Sequence, residues 1–427
     1  MRKAIIWCFI FILCSCKKNT GDPDSDPTPP PPPPPVVSNT ISIQWQKAYG
    51  GSSDDLTYSV AATADGAYVI AGRSNSTDGD AAANGGTTKI WIMKINNSGS
   101  ITWQKFLGNG ETVNAIIATP DGGYALAGYY FNAPLDNNLW FAKLNDAGDI
   151  VWTRTLGGSG RDFAKSIVAA SDGGYIIAGY TRSNDGDVSG NKGIQDVWVI
   201  KFSNIGDVVW KKTFGGSDWE FGYSIINAND GGYIIAGETN SNDGDVSGNH
   251  GEFDGWVVKL STAGDILWQK TFGGEKGDGI LSITPADNGY IAAGITSSTS
   301  GSFSTNHGGQ DAWIMKLSNN GEIIWQKIIG TSGDEYATHV ARNSNGEVVI
   351  AGPSGSNSTV DFYIAGFNKD GNLLAQKYFG GRDYDEPMGI IADGNNSFIV
   401  AGSSHSSDIP GYHGGNFDIL AIKFKIQ

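Results

Sequence analysis

Cysteine is the first absence. The 427-residue chain has three, Cys8, Cys14 and Cys16, and none after position 16. Disulfide staples and thiolate chemistry are therefore excluded beyond the leader, and stability must come from the apolar core alone. Histidine is also scarce. His250, His307, His339, His405 and His413 are scattered over the second half without zinc spacing. The HGG at His307 and His413 belongs to glycine-rich loops, where a lone imidazole is expected to be solvated. There is no phosphate loop, and no Gly-x-Ser-x-Gly elbow stands on a strand–helix turn. Positive charge is in deficit. A net charge of −15 repels nucleic acid, which is excluded as a partner, and anionic lipid headgroups. Nothing in the chain has the periodicity of a helix.

The first forty residues are not part of the fold. Arg2 and Lys3 precede an apolar run from Ala4 to Leu13, too short for a stable membrane span and typical of a secretory signal. The run ends in "LCSC", Leu13 to Cys16. This resembles the lipobox of bacterial lipoproteins, in which the cysteine is lipidated and becomes the mature N-terminus. The resemblance implies a signal peptide over 1–15, a lipid such as palmitate on Cys16, and a membrane partner reached through that anchor. Residues 16–40 form a linker with an unbroken proline run, Pro29 to Pro35. Such a run favours an extended polyproline II spacer of ~3.1 Å per residue. Lys17 after Cys16 is no inner-membrane retention signal. An exported protein anchored in the outer membrane, facing the periplasm or the cell surface, is the expected location.

From Ile41 to Gln427 the chain copies itself. The last glycine of "GGYIIAG" recurs at Gly72, Gly128, Gly179, Gly237, Gly294, Gly352 and Gly402. The tryptophan of "GDIxWQK" recurs at Trp45, Trp103, Trp152, Trp210, Trp268 and Trp325, with Ala375 in the seventh place. A "WVIK" segment follows the same rhythm at Trp91, Trp140, Trp198, Trp256 and Trp313, then Tyr363 and Leu420. Each unit reads as four short strands, a to d, rich in Ile, Val, Trp and Tyr and bounded by Gly, Asn and Asp. In the best copy these are "YSII", "GYIIAGET", "DGWVVKLS" and "GDILWQKTF". Four-strand units of this length predict propeller blades. The chain starts on a strand d and ends on a strand c. The N-terminal strand is therefore expected to complete the last blade and close the ring. The fold class is all-β, a seven-bladed propeller of four-stranded antiparallel blades over 41–427.

The pattern "SIxxxxDGGYIIAG…DxWVIKLxxxGDIxWQKTFGG" resembles the β-propeller repeats of bacterial secreted and surface proteins, including the seven-bladed type. That implies a propeller, usually without an assigned enzymatic activity. The Gly264 to Trp268 stretch also resembles the tryptophan-docking segment of quinoprotein dehydrogenases. In those enzymes the cofactor site carries adjacent cysteines and an acid pair, and no cysteine follows Cys16 here.

In an up-and-down blade the d–a and b–c loops share one face, and the tight a–b and c–d hairpins share the other. Function is expected on the loop-rich face. An acid stands ten residues after the strand-d marker at Asp55, Asp162, Glu220, Asp278, Glu335 and Asp385, with Glu111 nearby in unit two. These acids either ring a cation or fix the d–a corner by accepting backbone N–H bonds. The b–c loop "SNDGDVSGNKG", Ser183 to Gly193, returns as "SNDGDVSGNHG", Ser241 to Gly251. Asp185, Asp187, Ser189, Asn191 and Asp196, and likewise Asp243, Asp245, Ser247, Asn249 and Asp254, have the 1-3-5-7-12 spacing of a calcium loop. Calcium is the candidate cofactor. The alternative is a Gly/Asp/Asn turn that hydrogen-bonds itself. Trp219 lies outside the repeat in a d–a loop, Tyr384 lies in the corresponding loop of unit seven, and Tyr412 lies in the last b–c loop. These aromatics are candidates for stacking on a sugar or anchoring a partner.

The expected function is that of a monomeric envelope lipoprotein binding a protein or glycan through its loop-rich face. An enzyme with carboxylates near the central channel (a lyase, hydrolase or quinoprotein-like oxidoreductase) is the alternative. A purely structural envelope component is a third reading.

Overall fold

A tryptophan and a glycine explain how the blades hold one another. In the computed structural model, the indole on six of the seven d strands lies against the glycine of the c–d turn in the next blade. A Cβ added at Gly264 would meet ring atoms of Trp210 at 3.0 Å, and one at Gly206 would meet Trp152 at 2.9 Å. Gly99, Gly148, Gly321 and Gly371 meet Trp45, Trp103, Trp268 and Trp325 in the same way. These glycines have φ near +80°, as at Gly264 (+79°), where an L side chain is strained. The indole N–H donates into the same turn, from Trp45 to the Asn97 carbonyl at 2.9 Å and from Trp210 to the Thr262 carbonyl at 3.3 Å. A basic residue two positions on completes the clasp, as in Lys105–Asp149 at 2.7 Å and Lys212–Asp265 at 2.6 Å.

The structure describes residues 39–427 except 109, 134–135, 301–302, 304–305, 357–358 and 395. The signal peptide, Cys16 and the proline run lie outside the described residues. Seven sheets of four antiparallel strands form the ring. Blade four, the clearest copy, consists of Glu220–Asn227, Tyr233–Thr239, Asp254–Leu260 and Ile266–Phe272. The a strands of successive blades touch around the axis, and the circle is completed where Asp55–Ala62 meets Asp385–Ala392. Gly79–Ala81 forms a single helical turn.

The expected closure is present. Ile41–Tyr49 pairs antiparallel with Asp418–Ile426, from Ile41 opposite Ile426 to Tyr49 opposite Ile419. Thr40 and Gln427 exchange two further backbone bonds of 2.6 and 2.9 Å on the hairpin face. Strands b and c form the core. Every residue of Tyr233–Thr239 and Asp254–Leu260 is buried, because each blade is covered on both faces by its neighbours. Trp91, Trp198, Trp256 and Trp313 are at most 1% exposed, so the repeated indoles of strand c are packing.

Candidate functional site

The loop-rich face is built first from its corners. Each d–a turn folds back on the acid that opens strand a. Gly51 N donates to Asp55 at 2.8 Å, Gly158 to Asp162 at 2.8 Å, Gly216 to Glu220 at 2.8 Å, Gly274 to Asp278 at 2.8 Å, Thr331 to Glu335 at 2.7 Å and Gly381 to Asp385 at 2.7 Å. Hydroxyls from the end of strand b and the loop after it complete the cradle, as in Ser76 to Asp55 at 2.7 Å and Thr239 to Glu220 at 2.7 Å. All six acids are buried, and burial raises the pKa of Asp55, Asp162, Glu220, Asp278 and Asp385. In unit two Glu111 opens strand a, with its carboxylate against Gly108.

The repeated "SNDGD" loop hooks onto the same corners. Asp185 accepts from Ser159 N at 2.7 Å, Ser183 from Gly160 N at 2.8 Å, and Asp187 N donates to the Gly157 carbonyl at 2.8 Å. Asp243, Ser241 and Asp245 repeat these bonds one blade on. Gly186, at φ +61°, passes so close to the Gly157 carbonyl that a Cβ would meet it at 2.5 Å. Val188 and Val246 plug the loops into the core. Asn191 donates to the Ser183 carbonyl at 3.2 Å and Asn249 to the Thr239 carbonyl at 3.2 Å. The Ser189 carbonyl and the Ser247 hydroxyl accept from Thr213 and Gln269. Asp196 and Asp254 belong to the following corners, against Gly215 and Gly273. Asp185 and Asp243 thus accept from the corner behind them, and Asp196 and Asp254 lie at the corner ahead, each with one buried Oδ1 that has no hydrogen-bond partner. Among the described residues, no group of three or more His, Cys, Asp or Glu side chains has a metal-holding arrangement.

His307 and His413 are exposed loop residues, and each also pairs with an acid. Their Nδ1 atoms lie 3.1 and 3.0 Å from Asp311 and Asp418, buried acids that open strand c, and His250 lies 2.6 Å from Asp254. The signal was available in the sequence, as an aspartate four or five residues after each of these histidines.

The channel departs from the repeat. Strand a carries a β-bulge in six blades, and the bulged residues Tyr58, Asn114, Lys165, Tyr223, Leu281 and Met388 line an axial cavity of about 260 Å³. Thr338 and His339 supply the wall in blade six. Where the core repeats one residue type, these positions carry a different residue in nearly every blade. So do the residues after the corner acid and after the glycine of strand b, which lie nearer the loop-rich end.

In blades two to four this variation builds one continuous array. Tyr129 packs edge-on to Phe163 (4.9 Å), Phe163 contacts Tyr180 (5.1 Å), and Tyr180 meets Phe221 edge-on (5.1 Å). Phe221 lies nearly parallel to Trp219 at 6.1 Å and to Tyr223 at 5.7 Å. The array runs from the d–a loop inward to the channel wall. Two cations cap it. The Arg182 guanidinium sits 4.4 Å over Trp219, and the Lys165 ammonium lies 5.9 and 5.6 Å from the rings of Phe163 and Tyr180. Arg182 is exposed and donates to Gln195 at 3.1 Å. Trp219, Phe221 and Tyr223 are half-buried. At the inner end the Tyr223 hydroxyl donates to Glu238 at 2.8 Å. Burial raises the Glu238 carboxyl to about 7 despite that bond.

Tyr384 and Tyr412 stand apart from the array. Tyr384 donates to Glu386 at 2.9 Å and lies edge-on to Phe417, while Tyr412 donates to the Gly415 carbonyl at 3.0 Å. Burial raises Glu386 and lowers His339, the latter to about 4. Sequence reasoning singled out Trp219 but missed Phe163, Lys165, Tyr180, Arg182, Phe221, Tyr223 and Glu238. The seven copies aligned on the corner acid would have exposed them as variable columns.

No family model matches the chain. Over 206 residues it is 26% identical to the regulatory protein FlaEY of Caulobacter vibrioides, covering 44% of this chain. The match spans about a fifth (21%) of that relative's length. Among solved structures it is similar to a streptogramin B lyase, with a TM-score of 0.51 and 14% identity over 90% of this chain and 98% of that one. It is also similar to the PQQ-bound aldose sugar dehydrogenase of Streptomyces coelicolor, with a TM-score of 0.41 and 13% identity over 92% of this chain and all (100%) of the other. At such identities the streptogramin lyase likeness speaks for the seven-bladed propeller fold and no further.

Proposed function

We propose that this chain is a binding module of the cell envelope that takes a glycan at the loop-rich mouth of its channel. One observation carries the reading. A scaffold that repeats its packing residues seven times abandons the repeat at the mouth, and in blades two to four it places Tyr129, Phe163, Tyr180, Phe221 and Trp219 together there. Packing alone asks for the same residue in every blade. Aromatic faces beside polar groups suit sugar rings. Lipidation of Cys16 would hold the module at the outer membrane, and the C16A chain is expected to lose membrane association and palmitate labelling.

The test is a glycan array followed by titration of the best ligand. Trp219→Ala is expected to weaken binding about tenfold or more, as the loss of a central aromatic anchor does. Unchanged binding in this variant, or no glycan bound at all, overturns the reading.

A specific observation also supports the enzymatic alternative. Tyr223 and His339 line the channel in blades four and six, and the Tyr223 hydroxyl donates to Glu238, whose carboxyl burial raises to about 7. Turnover of a bound glycan that Glu238→Gln abolishes would favour that reading over simple binding.

A further inference from the structure

We infer that neighbouring blades are joined by carboxyl pairs that share a proton, so that the ring and its loop-rich face respond to pH. Each pair joins the acid that opens strand c of one blade to the corner acid that opens strand a of the next.

The corner glycines show the pairing. A Cβ added at Gly215 would meet Glu220 Oε2 at 2.3 Å and Asp196 Oδ1 at 2.6 Å, and one at Gly50 would meet Asp418 Oδ1 at 2.4 Å and Asp55 Oδ2 at 2.8 Å. Gly273 lies in the same way between Asp254 and Asp278, and Gly380 between Asp361 and Asp385. Asp311, against Gly330, stands close enough to Glu335 to feel its charge and makes the fifth pair. The two sides of a pair are unequal. The strand-a oxygen accepts from its own turn, as Glu220 Oε2 does from Gly216 N at 2.8 Å and Asp55 Oδ2 from Gly51 N at 2.8 Å. The facing Oδ1 of Asp196, Asp254, Asp311 and Asp418 is buried with no hydrogen-bond partner. Their Oδ2 atoms accept from the backbone N–H of Lys192, His250, His307 and His413. Two buried charges facing each other without a donor between them are costly, and one proton on the bare Oδ1 removes the repulsion.

The two remaining junctions fit the same rule. Blade two carries Asn138 at the strand-c position, across Gly157 from Asp162, and its amide has the shape of a protonated aspartate. Blade one carries Lys89 there, ahead of the corner acid Glu111. Where the second acid is missing, a neutral amide or a cation stands in its place. The other charged groups about Asp196 and Glu220 are Lys192, which pairs with Asp245, and Asp218 and Asp243 on the adjoining loops. About Asp418 and Asp55 they are His413, Asp54, Asp78 and Asp80. Acids outnumber bases at both junctions, which favours the protonated form. Burial, aided by the charge of the facing acid, raises Asp196 and Asp418 to about 6, and raises Asp254, Asp311 and Asp361 as well. A carboxyl raised in the fold contributes its stability below the unfolded value and loses it as pH climbs through the folded one. The junctions are therefore tight in mild acid and repel as pH rises through about 6. The paired acids open the strands that follow the b–c and d–a loops, so the effect falls on the loop-rich face.

The experiment is thermal melting of the full chain at pH 5 and pH 8, followed by circular dichroism. Asp196→Asn puts the neutral isostere in place of the protonated acid. It is expected to melt with the parent at pH 5 and a few degrees above it at pH 8. Asn138→Asp builds a sixth pair and is expected to do the reverse, melting with the parent at pH 5 and a few degrees below it at pH 8. The Asp196 variant keeps the test valid even if the Asn138 variant folds poorly. Equal shifts at the two pH values, or an Asp196→Asn chain no more stable than the parent at pH 8, overturn the inference. Calcium that raises the melting temperature of the parent at pH 8, but not that of Asp196→Asn, would assign the pair to a metal ion and overturn it too.

Discussion

Glu238 occupies a place where other blades carry Arg73, Tyr129, Tyr180, Ile295, Pro353 and Ser403, and it fits because Gly279 of the next blade leaves room for its carboxyl. The residue is 5% exposed, and its polar partner is the Tyr223 hydroxyl. Burial favours the neutral form, so the folded pKa rises from 4.5 to about 7. A raised carboxyl contributes its full stability below the unfolded value and loses it as pH climbs through the folded value. The native state is therefore penalised between about pH 4.5 and pH 7, by roughly 3 kcal/mol once ionisation is complete. Glu238→Gln keeps the shape and removes the charge. It is expected to match the parent at pH 5 and to melt several degrees higher at pH 8. Circular dichroism melting curves at the two pH values check this, and an equal shift at both would rule out the ionisation account. Such residues were poorly legible in the sequence. Periodicity identifies what recurs, whereas Glu238, Lys165 and Arg182 each occur once at their position and show only as variable columns when the seven copies are aligned.

At the scale of elements, the tryptophan–glycine clasp accounts for the one unit that departs from the pattern. Strand d of blade six carries Ala375 where the others carry tryptophan, and its neighbour, blade seven, has no c–d turn because its outer strand comes from the start of the chain. There is no turn glycine for an indole to cover. Ala375 is instead 1% exposed, in the same cluster as Phe362, Leu420 and Phe424, with Ile426 packed against it. The same substitution should therefore have opposite meanings at two places. Trp210→Ala removes a half-buried indole from Gly264 and is expected to cost about 2 kcal/mol. Ala375→Trp forces an indole into a filled core and is expected to cost about as much or more. Urea unfolding of both variants checks this, and a stabilised Ala375→Trp chain would contradict the clasp. The strands themselves were legible because each appeared seven times between Gly, Asn and Asp. The b–c loop was legible as a repeat but not as a hook, because the contact of Asp185 with Ser159 and of Gly186 with Gly157 joins residues nearly thirty positions apart.

For the whole molecule, the phase of the repeat was the decisive clue. A chain that begins with strand d and ends with strand c must either leave an open edge or join its ends. Removing 41–49 exposes the edge of Asp418–Ile426 and is expected to cause aggregation relative to the parent, measured by light scattering and size-exclusion chromatography. A truncated chain that stays monomeric and melts like the parent would refute closure as the stabilising device. The closing strand also has a direction. It enters beside Gln427 on the hairpin face and runs toward the loop-rich face, so its first pair is Ile41 with Ile426. Any pull delivered through the preceding residues acts on that first pair alone, then on the next, like a zipper drawn from its end. If the anchor proposed at Cys16 bears load, the pull is expected to undo the circle one rung at a time from Ile41, which would make the entry strand a mechanical fuse.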